Sequence, residues 1–121
     1  MKDSTNLNDK DTSISVFKDV IRKFVNKRDW NKYHTPKNLV QAINCEAGEL
    51  SHLLLFREYS KDDIWDDEEL LTKVSDEIAD VFIYLISLIN TLNLDLSQIF
   101  ARKMEKNKEK YSIKKYNNGF Y

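Results

Sequence analysis

Four carboxylates stand in two pairs at helical spacing, Glu46 and Glu49 in the string Glu46-Ala-Gly-Glu49, and Glu77 and Asp80 in Asp76-Glu-Ile-Ala-Asp80. A spacing of three residues sets both acids of a pair on one helical flank, about one turn apart. Two such helices side by side could gather four carboxylates around a divalent cation. On a wheel centred on Ile43, the residues Leu39, Ala47, Leu50 and Leu54 fall within about 40°, Glu46 at about −60° inside the apolar arc, and Glu49 at its edge. Centring the second stretch on Ile78 gathers Val74, Phe82, Leu85, Ile89 and Leu92, with Glu77 and Asp80 on one flank. Two like charges about 4 Å apart repel by about 4 kcal/mol at an effective dielectric of 20, so gathered acids need protonation or a cation. Oxygen-only ligation favours a hard ion, Mg²⁺ or Mn²⁺. The same spacing also arises on solvated helix faces, because 20 of the 121 residues are Asp or Glu. Glu46 favours the metal reading, since a glutamate inside an apolar arc is rarely left without a partner.

The elements that must position these acids are all helical. Residues 1–12 are polar and without apolar periodicity, and are expected to form a disordered leader. A first helix is expected from about Ser13 to Trp30, with Ile14, Phe17, Ile21, Phe24 and Val25 on one face. Thr35 and Pro36 suit the N-cap and first position of a second helix reaching about Glu58. Tyr59 to Asp67 reads as a loop, and a third helix runs from about Glu68 to Asn93. Asp95 then caps a fourth, with Gln98 completing a possible capping box, and that helix fades near Tyr111. No period-2 alternation competes. The fold class is all-α, a bundle of about four helices per chain whose core is completed by dimerisation, as a homodimer or a dimer of dimers. The working domain is expected to span residues 13–115, with 116–121 as a tail.

Composition narrows the function. At 121 residues and 41% hydrophobic content the chain forms one domain with a core of its own. A formal charge of −1 gives no sign of a general nucleic-acid or membrane-surface binder. The nearly apolar run Val81–Ile89 is about half the length that spans a bilayer, and the first ten residues do not resemble a signal peptide. The single cysteine, Cys45, is expected to be a buried thiol in a reducing compartment, with cytoplasm the default.

Trp30, Tyr33 and His34 cluster at the first interhelical turn beside Lys37 and Asn38. Aromatic faces next to polar donors could stack on a nucleobase and hydrogen-bond its edge, or could simply cover the helix junction. Arg102, Lys103, Lys106, Asn107, Lys108 and Lys110 on the fourth helix could face phosphates, although most lysines there suit a solvated helix end. The pair Glu49 and His52 has the Glu-x-x-His spacing of di-iron bundles, but His52 falls opposite Ile43 on the wheel. Cys45 has no histidine near it in sequence and the two glycines, Gly48 and Gly119, form no phosphate loop. Bound phosphates would have to be held by a metal and side chains.

Four ordered strings carry a family resemblance: Arg28-Asp-Trp-Asn-Lys-Tyr-His-Thr-Pro-Lys-Asn38, Glu46-Ala-Gly-Glu-Leu50, Asp76-Glu-Ile-Ala-Asp-Val-Phe-Ile-Tyr-Leu85 and Lys103-Met-Glu-Lys-Asn107. Together they resemble the MazG-like all-α nucleotide pyrophosphohydrolases, and more narrowly the dCTP pyrophosphatase-like branch, over about residues 14 to 115. The resemblance implies hydrolysis of a nucleoside triphosphate to monophosphate and pyrophosphate, as housecleaning of dCTP-like or modified nucleotides. It implies Glu46, Glu49, Glu77 and Asp80 as Mg²⁺ ligands, Glu49 also as acceptor of the water's proton, Trp30 at the base, and Tyr84, Lys103 and Asn107 at sugar or phosphates. Related chains carry a tryptophan after the second helix where this one has Leu55-Phe56-Arg57, so Phe56 or Trp65 would have to supply that wall. The tail after Tyr111 is also shorter than usual. Two other classes compete: a non-catalytic dimerisation module, and a sensor that binds Mg²⁺ and nucleotide without turnover.

Overall fold

The computed structural model describes residues 6–116. Within them the chain is all-helical: α1 Ile14–Lys27, a 3₁₀ turn Asn31–Tyr33, α2 Pro36–Leu53, α3 Lys61–Asp66, α4 Glu68–Leu92, α5 Leu96–Lys110 and α6 Ile113–Tyr116. No strand occurs among the described residues. The expected bundle is present, and α4 is its axis, packed most extensively against α2 and then against α1.

Local chemistry explains most boundaries. Thr35 Oγ1 accepts from the Asn38 N–H at 3.2 Å, and Pro36 opens α2 where an N–H would have no partner. Asp67 Oδ1 accepts from Leu70 N–H at 3.1 Å and Asp95 Oδ1 from Gln98 N–H at 3.0 Å, starting α4 and α5. Asn93, at φ 54°, closes α4: its N–H reaches Asn90 O, and Leu94 N–H reaches Ile89 O, the two bonds of a Schellman end.

Three expected boundaries are corrected. The first helix stops at Lys27 rather than Trp30, because Asp29 turns left-handed at φ 55°. The second stops at Leu53 rather than Glu58, with Phe56 at φ 65° and its side chain almost wholly in solvent. The stretch expected as a loop contains α3, whose Ser60 and Asp63 form a reciprocal capping box. The fourth helix ends near Tyr111 as expected, but α6 follows it. Of the expected leader, residues 6–12 make turns in which Asn8 Oδ1 accepts from Asp11 N–H and Thr12 Oγ1 from Asn8 N–H. The expected tail lies, apart from Tyr116, outside the described residues.

The buried core is small. Ile21 and Val25 of α1, Leu39 of α2 and Ile86 of α4 form it, with Ser87 the one buried polar residue in the described set. Phe17 meets Phe82 edge to face at 5.3 Å, and Ile14, Phe82 and Leu96 pack around the same cluster. Ile86, about 80° round α4 from Ile78, faces α1, so Ile78 is not the centre of the packed seam. Ile78, Leu85 and Leu92 are instead 54%, 42% and 47% exposed on a third face of α4. Cys45, expected to be buried, is exposed, because α2 turns only its narrow Leu39 and Glu46 side inward. No single helix is long and apolar enough to cross a membrane among the described residues.

Candidate active site

Packing α2 along α4 brings Glu46, Glu77 and Asp80 together. One carboxylate oxygen from each lies within 4.8 Å of the others. Glu46 and Glu77 are half-buried, as expected for acids beside a helix–helix seam. Glu49 is exposed, one turn further along α2, and stands outside this group of three. His52 is exposed and also outside it, which removes the Glu-x-x-His arrangement of a di-iron centre.

The donor set fits a hard divalent cation. Oε2 of Glu77 is buried without a hydrogen-bond partner, an oxygen that a proton or a metal would satisfy. The Glu77 carboxyl is held above its ordinary value, first because a protonated pair can share a hydrogen bond with Glu46, then through burial, then through the charges of Glu46, Asp80 and Glu49. A carboxyl whose pKa is raised on folding favours the protonated folded state. Its stabilising contribution is therefore full below the unfolded value and is lost as pH rises through the folded value. Asp63 has the opposite sign: bonds from Ser60 lower its pKa, so its contribution is present near neutrality and lost only on acidification. The metal-free protein is thus expected to show a falling thermal midpoint as pH is raised above the ordinary glutamate range, and saturating Mg²⁺ should flatten that slope. A level profile, or one that Mg²⁺ leaves unchanged, would contradict a coupled carboxylate cluster.

Beside the carboxylates lies a cavity of about 380 Å³ that Glu46 and Asp80 line together with Phe24, Trp30, His34 and Tyr84. The end of α1 sets its aromatic wall. Asp29 N–H bonds to Asn26 O and Trp30 N–H to Val25 O, a Schellman end that turns Trp30 back towards the last turn of α1. There Trp30 meets Phe24 edge to face at 5.6 Å, and the Arg28 guanidinium lies over the Phe24 ring at 3.6 Å. A smaller polar cavity of about 180 Å³ adjoins the first, sharing Ile21, Val25, His34 and Ser87 with it and adding Asn26, Asn31 and Thr91.

Trp30, His34 and Tyr84 therefore share one cavity with two of the acids. Asn38 does not line it: its amide nitrogen donates to Tyr33 O at 2.9 Å, bracing the entry to α2. Lys103 and Asn107, on α5, do not line it either. Phe56 and Trp65 are both exposed and form no part of the wall, which Phe24 and Trp30 supply instead. Phe24, expected on the core face of the first helix, joins the cavity because the chain turns back at Asp29, a turn that no glycine marks in the sequence.

Fold and site together define an all-α protein whose two longest helices share a carboxylate cluster next to an aromatic cavity. The MazG-like family model matches residues 45–119, and the chain belongs to the MazG-like family. It is 32% identical over 93 residues to dCTP pyrophosphatase 1 of Mus musculus, covering 75% of this chain and 54% of that protein. Against dCTP pyrophosphatase 1 of Homo sapiens it is 32% identical over 91 residues, covering 74% and 53%. The chain thus spans about half the length of the curated relatives it matches. The crystal structure of a pyrophosphatase from Archaeoglobus fulgidus superimposes with a TM-score of 0.75 at 34% identity, covering 88% of this chain and 99% of that one.

Proposed function

We propose that the chain is a nucleoside triphosphate pyrophosphohydrolase that converts dCTP-like or modified pyrimidine nucleotides, with Mg²⁺ or Mn²⁺, to monophosphate and pyrophosphate. Its role would be housecleaning of the cytoplasmic nucleotide pool. The observation that carries this reading is the single cavity in which Trp30 and Tyr84 stand beside Glu46 and Asp80. The similarity to proteins named dCTP pyrophosphatase 1 and to a solved pyrophosphatase supports it.

Each residue has a chemical part. Glu46, Glu77 and Asp80 would hold the cation, with Glu49 completing the set from the next turn of α2. When bound, that cation supplies neutralisation of phosphate charge and a lower pKa for the attacking water. The water oxygen bonds to the α-phosphorus while the bond from that phosphorus to the α–β bridging oxygen breaks, releasing pyrophosphate. Glu49, one turn along α2 from Glu46, would take the water's proton. Trp30 would stack on the base, its ring held edge to face by Phe24, fixing the distance from base to carboxylates. Lys103 and Asn107 could serve sugar or phosphates only if α5 were brought to a cavity, as it could be by a second chain in a homodimer or dimer of dimers. The working domain in this reading is residues 13–115.

Purified protein should be incubated with Mg²⁺ and a panel of ribo- and deoxynucleoside triphosphates, with products resolved by chromatography. Monophosphate and pyrophosphate, with dCTP among the best substrates, is the expected result. Orthophosphate release would point to a different phosphohydrolase, and nucleotide binding without turnover to a sensor.

A further inference from the structure

The nucleotide cavity is polarised along α4. Asp80 stands at its acidic end, Tyr84 one turn on, and Ser87 at the far end, all on one face of the same helix. From Asp80 to Ser87 the helix rises about 10 Å, a span on the scale of a nucleoside. A nucleotide with its phosphates at the carboxylates and its base against Trp30 would therefore present the far edge of that base to Ser87.

Ser87 is unusual in this chain. It is buried, 3% exposed, yet it lines both the aromatic cavity and the polar one behind it. Its Oγ donates to Ile83 O at 3.0 Å. A carbonyl can only accept, so the hydroxyl hydrogen is committed there and the oxygen's lone pairs are what remain for a ligand. Of the polar side chains behind Ser87, Asn90 accepts from Arg22 and donates to Lys18 O, and Asn26 accepts from Asn31.

Resting on the function proposed above, we infer that Ser87 is a specificity-determining residue whose acceptor-only hydroxyl selects a base bearing an amino group on its distal edge. A 4-amino pyrimidine gives Oγ a donor. A 4-oxo pyrimidine sets oxygen against oxygen, or makes the hydroxyl give up Ile83 O, and either arrangement disfavours it.

The test compares binding of the non-hydrolysable α,β-imido analogues of dCTP and dUTP, with Mg²⁺, to the parent protein and to Ser87→Ala. Turnover of dCTP and dUTP is measured separately. The parent is expected to bind the cytosine analogue about tenfold more tightly than the uracil analogue, and Ser87→Ala to bring that ratio to about one. Circular dichroism and the thermal midpoint establish that the variant is folded, and Ser87→Thr, which keeps the hydroxyl, should retain part of the preference. Equal affinities in the parent, no binding of either analogue, or a preference that survives in folded Ser87→Ala would each overturn the assignment. Discrimination lost in Ser87→Ala without turnover of either nucleotide would leave it standing while refuting the pyrophosphohydrolase reading.

Discussion

Glu46→Gln is expected to lower kcat/KM for triphosphate hydrolysis by about a thousandfold, equivalent to about 4 kcal/mol of transition-state stabilisation, while leaving the metal-free protein more stable than the parent. Both effects come from one geometry. Glu46 supplies one of three carboxylate oxygens within 4.8 Å of one another, so its loss removes a cation ligand. In the metal-free state Glu46 raises the Glu77 pKa, first by sharing a hydrogen bond with its protonated form and, after burial, by its charge, and an uncharged amide removes that charge repulsion near neutrality. Glu77→Gln provides the companion case, because its Oε2 is the buried oxygen without a partner. Steady-state kinetics and thermal melts with and without Mg²⁺ measure both arms. The parent midpoint should rise on adding Mg²⁺ and the variant's should rise less. A folded Glu46→Gln with turnover near the parent's would refute the catalytic cluster, whereas a metal-free variant less stable than the parent would show that Glu46 is a structural residue.

Leu85→Glu is expected to break assembly. The isolated chain exposes 9960 Å², against about 6,800 Å² expected of a compact monomer of 14.3 kDa. Part of that surface is apolar in a definite pattern: Ile78, Leu85 and Leu92 recur every seven residues on the open face of α4 and lie about 40° apart in total on the wheel. That is the pattern of a helix awaiting another helix. The parent is expected to sediment as a dimer or larger. A glutamate at the centre of the stripe would forfeit a buried leucine and desolvate a charge, weakening association by about 3 kcal/mol or more, roughly a hundredfold. Sedimentation velocity over a concentration series reads the shift directly. A monomeric parent, or a variant that assembles as the parent does, would place the interface elsewhere or remove it.

How much of this was legible beforehand depends on the range of the interaction concerned. Thr35-Pro36 and Asp95 announced their helix starts because capping is a matter of a few adjacent residues. Ser60 and Asp63 make an equally local capping box, but a single turn of charged residues has little apolar periodicity, and α3 was missed. The early stops of α1 and α2 rest on Asp29 and Phe56 at positive φ, where neither is the glycine that would have marked the turn.

The acids show the same division. Three-residue spacing put Glu46 and Glu49 on one flank of a helix, and Glu77 and Asp80 on one flank of another, wherever those helices lay. Helical spacing did not say that Glu46 would meet Glu77 and Asp80 while Glu49 stayed in solvent, because that depends on how α2 is rotated against α4. Nor did it choose the right face of α4: the apolar stripe centred on Ile78 pointed there, whereas Ile86 and Ser87 are the residues that become buried. The sequence by itself determined the four long helices, the carboxylate pairs and the aromatic turn, since these follow from spacing along one chain. Only the tertiary structure decided that Phe24 shares a wall with Trp30, that Ser87 closes the cavity, and that the Ile78–Leu85–Leu92 face is left open, because each depends on the angle at which helices far apart in sequence pack.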